Sequence, residues 1–406
     1  MRVALYNPGW PVMGGGEVYF GVLAEILSER HQVDLITIRP FDLRRLQERL
    51  GLHLDGVGLI EVPSEAISFP RGVREWLRNR YALARTYRTL ERMTRAYDVA
   101  IALESDLPPR LAARRNILQV QVPHRRWTAR DFFRALRAHR LTDVRREIAR
   151  AWYFPRALRR YDLILCNSQF TARVLEENWR PSVPILVVPP PVELPATPIP
   201  WSEKREIIVS VARFFRGGHE KNQWVLLAAF RAFVVRHPGW ELHLVGGADA
   251  SGETVVAELE RSARGLPVIF HVNAKREEVR RLYRLGKVFW QATGFGVDEH
   301  REPERVEHFG IALVEAMGYG CIPFAVGRGG AREIIEPGVS GFFWETIPEL
   351  VERTAAVVAC EEAARMSVRA AERARMFGRE AFRERFFTAL ARVLSGPSIH
   401  GVPATR

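Results

Sequence analysis

The sequence predicts an α/β chain of two doubly wound domains, each a parallel sheet covered by helices. Three observations carry that prediction. Short apolar β-type runs alternate with amphipathic helical runs from end to end. One proline-rich break falls near the middle. The length, 406 residues, suits two domains of roughly 100–200 residues each. With 47% hydrophobic and 26% charged residues, the chain has the composition to bury a large core in each.

In the first half the strand-like runs are Val3–Asn7, Val33–Ile38, Val57–Val62, Val99–Leu103, Ile117–Val122, Leu163–Cys166 and Ile185–Val188. They are almost continuously apolar, which implies burial on both faces. Helical patterns fall between them at Glu17–Glu29, Arg74–Arg95, Arg134–Arg150 and Phe170–Asn178. Six prolines then occur between Pro189 and Pro200. Such a run can continue neither a helix nor an inner strand, so it reads as a linker. After it the rhythm restarts, with strands at Ile207–Val211, Glu241–Val245, Val268–His271, Val288–Trp290 and Ile322–Val326. Helices are expected at Gln223–Arg236, Glu277–Leu285 and Ile311–Tyr319, with more to finish the chain. The expected boundaries are a first domain at 1–190, a linker at 191–203, a second domain at 204–380, and a C-terminal helix and tail at 381–406. The tail from Ser395 is expected to fray.

Several function classes are excluded at this level. The cysteines Cys166, Cys321 and Cys360 are odd in number and far apart, so neither a disulfide framework nor a Cys-based metal site is available. They also fit a reducing compartment. No run of 18 uncharged apolar residues could cross a bilayer. The opening Met1–Pro8 lacks the long apolar stretch and cleavage site of a signal peptide. The expected location is therefore cytoplasmic, with the chain starting at its first strand.

Charge is distributed unevenly. The net charge is +13, and only four of the 60 basic residues are lysines: Lys204, Lys221, Lys275 and Lys287. Residues 1–200 carry net +10, and Arg110–Arg160 alone holds 15 arginines against three acids. Within that stretch Trp127, Phe132, Phe133, Leu136, Leu141, Val144, Ile148 and Trp152 recur at mostly helical spacing among the arginines. Two readings fit: a basic amphipathic helix peripheral to an anionic membrane or a lipid-phosphate acceptor, or a core-packed helix with a solvated arginine face. Nucleic acid is not expected, because no recognition module is present.

Four constellations can carry chemistry. Gly14, Gly15 and Gly16, with Glu17, follow the first strand and open a helix, where backbone N–H groups can approach an anion. They do not form the G-x-G-x-x-G dinucleotide fingerprint. A plain tight turn explains them equally. Arg213 and Lys221 lie at the carboxyl end of the first strand after the linker, where phosphates sit in such folds, with Arg216 as a competitor. A solvated basic loop is the alternative. Glu307 and Glu315 bracket Gly310 at a helix start, about 12 Å apart if all eight intervening steps rise as helix. The N–H groups of Phe309, Gly310 and Ile311 then lie between two carboxylates, which suits a sugar at one end of a diphosphate and a ribose at the other. Two exposed acids on an amphipathic helix would look the same. His124 stands just past a first-half strand, where it can meet a substrate hydroxyl or serve structure alone. No metal-ligand spacing, Walker loop or Gly-x-Ser-x-Gly elbow occurs.

Taken together, these residues resemble the retaining glycosyltransferases of family 4. The most specific part is the E-x7-E block from Glu307 to Glu315 and its continuation to Pro323. Gly329–Ile335, Gly338–Phe342, Asn167–Thr171, Pro190–Val192 and the Gly15–Glu17 turn follow in the family's order. The resemblance covers nearly the whole chain. It implies the GT-B fold, two Rossmann-like domains facing each other across a cleft. It implies donor-sugar contacts at Glu307, ribose contacts at Glu315, and a diphosphate held by Arg213, Lys221 and the N–H groups of Phe309, Gly310 and Ile311. Gly15 and Gly16 would close the cleft from the other side, and His124 matches a histidine beside the transferred sugar. It further implies a nucleoside-diphosphate sugar as co-substrate, a glycan or lipid-linked acceptor, no cofactor and no metal. The first half offers no well-placed carboxylate base for an inverting mechanism, which agrees with same-face attack.

Other functions on the same architecture stay open: a sugar-nucleotide epimerase, a phosphorylase, or a non-catalytic sugar-nucleotide or membrane-surface module. A glycogen-type phosphorylase needs a late cofactor-bearing lysine, and no lysine follows Lys287. A nicotinamide oxidoreductase lacks its fingerprint.

Overall fold

The computed structural model describes residues 1–10, 14–62, 73–103, 107–217 and 219–396. Gly218, and the expected frayed tail beyond Gly396, lie outside the described residues. The chain divides into two compact units. The first holds Met1–Asn167, Thr171–Pro190 and the segment from Arg383 onward; the second holds Ser168–Phe170 and Pro191–Phe382.

The first unit is a seven-stranded parallel sheet. Its strands are β1 (Arg2–Tyr6), β2 (Gln32–Thr37), β3 (Gly58–Glu61), β4 (Val99–Leu103), β5 (Arg115–Val120), β6 (Leu163–Cys166) and β7 (Ile185–Val187), in the order β3-β2-β1-β4-β5-β6-β7. The helices are α1 (Gly15–Ser28), α2 (Leu43–Leu50), α3 (Val73–Thr94), α4 (Ala129–Arg137), α5 (Leu141–Leu158) and α6 (Gln169–Trp179). Every residue of β4, β5 and β6 is buried, as the continuous apolar runs require of a sheet covered on both faces. The helix expected over Arg134–Arg150 is two helices. His139 takes φ 53, a left-handed conformation that ends α4 and lets α5 start afresh at Leu141. Asp42 caps α2, an element the sequence pattern did not reveal, by accepting from the N–H groups of Arg44 and Arg45.

The second unit is a six-stranded parallel sheet. Its strands are β8 (Arg205–Val211), β9 (Glu241–Gly246), β10 (Val268–Val272), β11 (Gly286–Gln291), β12 (Ile322–Val326) and β13 (Phe342–Trp344), in the order β10-β9-β8-β11-β12-β13. Its helices are α7 (Gln223–Val234), α8 (Ala250–Ser262), α9 (Arg276–Leu285), α10 (Ile311–Gly318), α11 (Ala331–Ile334), α12 (Ile347–Val358) and α13 (Ala363–Arg375); α14 (Arg379–Ser395) starts in this unit and belongs to the first from Arg383 onward. Alternate strand residues feed two cores: Ile208, Val288 and Trp290 on one side, Ile207, Val209 and Phe289 on the other. Strand β13 has only three residues, too short for a periodic signal.

The proline-rich stretch is packed into the second unit. The Val192 N–H donates to the Phe377 carbonyl at 3.0 Å, and Leu194 lies so close to Gly318 that a Cβ there would meet its Cδ2 at 2.5 Å. Its apolar side chains thus find a surface that composition alone does not show. Within the first unit, Arg383 of α14 donates twice to Glu29, the residue that ends α1, each at 2.6 Å.

Both sheets reverse strand order at one point, between β1 and β4 and between β8 and β11. In open α/β sheets the loops leaving the strands at such a point bind ligands. In the second unit those loops are the one after β8, which carries Arg213 and Lys221, and the one after β11, which leads to Glu307.

Candidate active site

Lys221 and Glu307 are 86 residues apart, and the β8/β11 reversal brings them together. The Lys221 Nζ donates to Glu307 Oε2 at 3.2 Å, and both side chains are mostly buried. Lys221 is followed by Asn222, whose φ of 51 is left-handed. Asparagine tolerates that conformation, and its Nδ2 donates to the Ala292 carbonyl at 2.9 Å. The loop after β8 is thereby tied to the loop after β11.

Glu307 receives a second donor, Gln291 Nε2, at 3.0 Å on the same oxygen. Gln291 ends β11, and no sequence motif marks it. Its only signal is position, the last residue of a strand at a reversal point. Two imidazoles complete the cluster. His219 Nε2 lies 3.2 Å from Lys221 Nζ, and its ring stacks on His308 with centroids 4.6 Å apart. His219 comes from the long loop between Arg213 and Lys221, so that loop adds a group to the cluster.

The electrostatics follow from this crowding. Burial alone would raise the pKa of Glu307, but the Lys221 ammonium and the neighbouring histidines outweigh it and bring the carboxyl down to about 2. Burial, then the Lys221 charge, lowers His219 to about 4. Burial, then His219, lowers His308 to about 3. At neutral pH the cluster is one carboxylate, one ammonium and two neutral rings.

The loop that carries Glu307 is held from behind. The Gly330 N–H donates to the Glu307 carbonyl at 2.7 Å. A Cβ on Gly330 would meet Phe309 Cα at 2.7 Å, and one on Gly329, at φ 60, would run into the Glu307 carbonyl. The Gly329 N–H in turn donates to Glu299 Oε2 at 2.8 Å. Gly310 takes φ 117 and opens α10 with no side-chain cap. The N-terminus of α10 is therefore a backbone donor site facing the Glu307 loop. The helix begins only at Ile311, so the 12 Å expectation, which counted all eight steps as helical, is corrected. Glu307 sits in a loop turned by Gly310, and only the stretch from Ile311 to Glu315 rises as helix.

Glu315 has its own partners. Tyr283 Oη donates to it at 3.2 Å and Arg276 Nη2 at 3.3 Å. Arg276 also reaches Glu193 at 3.1 Å. Burial raises the Glu315 pKa, against the Arg276 charge. Neither Arg276 nor Tyr283 was singled out from sequence.

Arg213 remains exposed, with its guanidinium 5.2 Å from the Phe215 ring centroid. Its competitor Arg216 is engaged elsewhere, donating to Glu258 of α8. The backbone here is set by Gly246, where a Cβ would overlap the Ala212 carbonyl. Among the described residues, no group of three or more His, Cys, Asp or Glu is placed to hold a metal ion.

Two family models divide the chain between them. Glycosyltransferase Family 4 matches residues 13–195, and Glycosyl transferases group 1 matches residues 197–375. This chain is a glycosyltransferase, with a Family 4 half and a group 1 half. Among curated relatives of this glycosyltransferase is the human GDP-Man:Man(3)GlcNAc(2)-PP-Dol alpha-1,2-mannosyltransferase, 26% identical over 236 residues, which are 52% of this chain and 44% of that one. A glycogen synthase of Xanthomonas campestris is 28% identical over 107 residues, covering 26% and 20%. The chain thus spans less than half the length of these relatives. Among solved structures, sucrose-phosphate synthase of Thermosynechococcus elongatus matches with TM-score 0.70 at 17% identity, covering 97% of this chain and 99% of that one. Anabaena HepE, in complex with UDP, matches with TM-score 0.67 at 16% identity, covering 96% and 99%. These likenesses show the GT-B fold, with two Rossmann-like domains.

In the first unit of the glycosyltransferase, Glu17 has a structural part. It accepts from the Gly14 N–H at 2.5 Å and from Asn7 Nδ2 at 3.0 Å, so Gly14 is occupied within the turn. Gly15 and Gly16 start α1, and a Cβ on Gly16 would meet Leu103 Cδ2 at 2.8 Å. His124 packs edge-on against Phe154, with centroids 6.2 Å apart. Its carbonyl accepts from Trp179 Nε1 at 2.6 Å.

Proposed function

We propose that this glycosyltransferase is a retaining, metal-independent hexosyltransferase that moves a hexose from a nucleoside-diphosphate sugar to a glycan or lipid-linked acceptor. The Lys221–Glu307–Gln291 cluster beside the uncapped start of α10 carries the reading. An ammonium and a helix N-terminus on one side of an ionised, doubly hydrogen-bonded carboxylate suit a ligand with a diphosphate at one end and hydroxyls at the other.

In this reading the diphosphate lies on the N–H groups of Phe309, Gly310 and Ile311, with Lys221 and Arg213 supplying positive charge. An ammonium has three protons, so Lys221 can keep its bond to Glu307 while donating to phosphate. As the C1–O bond breaks, its electron pair goes to the departing phosphate oxygen, and these donors stabilise the charge that develops there. The acceptor oxygen bonds C1 on the face the phosphate leaves, and its proton passes to the leaving phosphate oxygen. Glu307 accepts from sugar hydroxyls, and Glu315 accepts from ribose, oriented by Tyr283 and Arg276. The first unit binds the acceptor, with His124 as a hydrogen-bonding group and Gly15 and Gly16 admitting substrate near the start of α1. The human relative is named for a dolichol-linked acceptor and the Anabaena structure holds UDP; both support this choice of substrate class.

The test is turnover with a panel of nucleoside-diphosphate sugars in EDTA, with the anomeric configuration of the product read by NMR. Lys221→Ala is expected to lower kcat about 100-fold or more, as loss of a charge-stabilising donor does. Glu307→Gln is expected to lower kcat/KM. Transfer that survives both substitutions unchanged would refute the site. An inverted product would refute same-face attack.

A further inference from the structure

The α4–α5 hairpin has one side packed on the first unit and another that is not covered. A core-packed helix would hide its large apolar side chains, and this hairpin exposes five of them. On α5, Leu141, Ile148 and Trp152 are spaced seven and four residues apart, so they share one face. Ile148 is 57% and Trp152 59% exposed. On α4, Phe133 is 69% exposed, and Leu136 stands one turn on, also exposed. The far side of α5, at Arg150, Phe154, Ala157 and Leu158, is buried. The exposed apolar stripe is therefore not the hairpin's packing face.

The charge around this stripe has one sign. Arg145, Arg156 and Arg159 continue the same face of α5, and Arg130, Arg134 and Arg137 flank Phe133 and Leu136 on α4; all six are exposed. The hairpin's three acids are taken up locally. Asp131 pairs with Arg125 at 2.9 Å, Asp143 with Arg140 at 2.6 Å, and Glu147 with Arg150 at 2.5 Å. None of those six arginines has a carboxylate partner among the described residues. Arg156 lies 4.5 Å over the Trp152 ring, a cation and an aromatic ring presented together.

We propose that the α4–α5 hairpin is a docking surface for an anionic lipid bilayer. Phe133, Leu136, Leu141, Ile148 and Trp152 enter the headgroup–acyl boundary, while the arginines meet lipid phosphates. The charge complementarity selects this occupant. A second copy of the chain would bring the same unpaired arginines face to face, which like-charge repulsion opposes. No described helix is long and apolar enough to cross a membrane, and the contact proposed here is peripheral. This inference stands apart from the transferase chemistry.

The experiment is cosedimentation of the full chain with vesicles of pure phosphatidylcholine, or of equal parts phosphatidylcholine and phosphatidylglycerol, at 0.1 M and 0.5 M NaCl. The expected result is binding to the anionic vesicles only, weakened at high salt. The double variant Ile148→Glu, Trp152→Glu should bind at least tenfold more weakly. Because both side chains are exposed, its Tm should match wild type, and a melting curve checks that it folds. Arg145→Gln with Arg156→Gln should weaken binding and its salt dependence together. No binding of wild type to anionic vesicles would overturn the proposal, as would equal binding by the Glu variant. A wild-type dimer that the Glu variant dissociates, without vesicle binding, would assign the stripe to a second copy instead.

Discussion

Glu307 keeps its charge in a mostly buried place because Lys221 and Gln291 both reach one of its oxygens. That arrangement predicts strong coupling. In a double-mutant cycle, Lys221→Ala and Glu307→Gln together should cost transfer less than the sum of the two single losses, because each single change leaves the other group without its partner. Additive losses would mean that the two act separately. The histidines give a pH prediction whose sign is fixed. Folded, His219 and His308 titrate at about 4 and about 3, against an ordinary 6.5. The unfolded chain therefore binds more protons below pH 6.5, and stability falls on acidification from there, by up to about 1.4 kcal/mol per pH unit for each ring. Glu307, titrating at about 2 against 4.5, adds to the fall at lower pH. Urea melts at pH 7 and pH 5 should show wild type losing more stability between them than His219→Gln, His308→Gln does. Equal losses would contradict the assignment. At this scale sequence was a partial guide. Glu307 and Glu315 stood out through spacing and Lys221 through its place after the first strand beyond the linker, whereas Gln291, Tyr283 and Arg276 did not, because only the fold brings them to the two carboxylates. Not every one of the four lysines is at the site. Lys204 is buried and donates to the Tyr283 and Gly286 carbonyls at the end of α9.

Among elements, the most informative is the turn at Gly329 and Gly330, which presses on the loop from Glu307 to Gly310. Gly330→Ala puts a methyl where Phe309 Cα and the His308 carbonyl lie, so the loop must shift and take Glu307 with it. The expected outcome is a loss of kcat/KM of tenfold or more, larger than the change in Tm alone would explain. Since small misplacements weaken positioned groups strongly, wild-type kinetics in this variant would show that the loop tolerates displacement. The alternation of apolar strands and amphipathic helices made nearly every strand visible in the sequence, because burial on both faces leaves a continuous apolar run. What it could not show were breaks made by backbone conformation. The His139 turn that divides α4 from α5 has no glycine or proline to announce it, and β13 is too short to carry a period. The hairpin's exposed face was equally ambiguous, because periodicity tells which residues share a face and not which face is covered.

On the scale of the whole molecule, each unit carries its own core and its own strand-order reversal. In the first unit a buried ion pair joins two neighbouring strands. Arg115 Nη1 lies 3.3 Å from Asp162 Oδ1, and the Asn116 N–H donates to Oδ2 at 2.8 Å. Asp162→Ala leaves that guanidinium buried without its carboxylate, with the Gly396 carbonyl still accepting from Nη2, and should destabilise the protein by about 3–5 kcal/mol, measurable as a lowered urea midpoint. A loss under 1 kcal/mol would mean that solvent reaches the pair. The central claim concerns the second unit, and thermal stabilisation by nucleoside diphosphates in EDTA tests it most directly. One diphosphate, at a hundred times its Kd, should stabilise wild type by about 2.7 kcal/mol and should stabilise Lys221→Ala much less. No shift with any nucleoside diphosphate, or an equal shift in the variant, would contradict a donor site at Lys221 and Glu307.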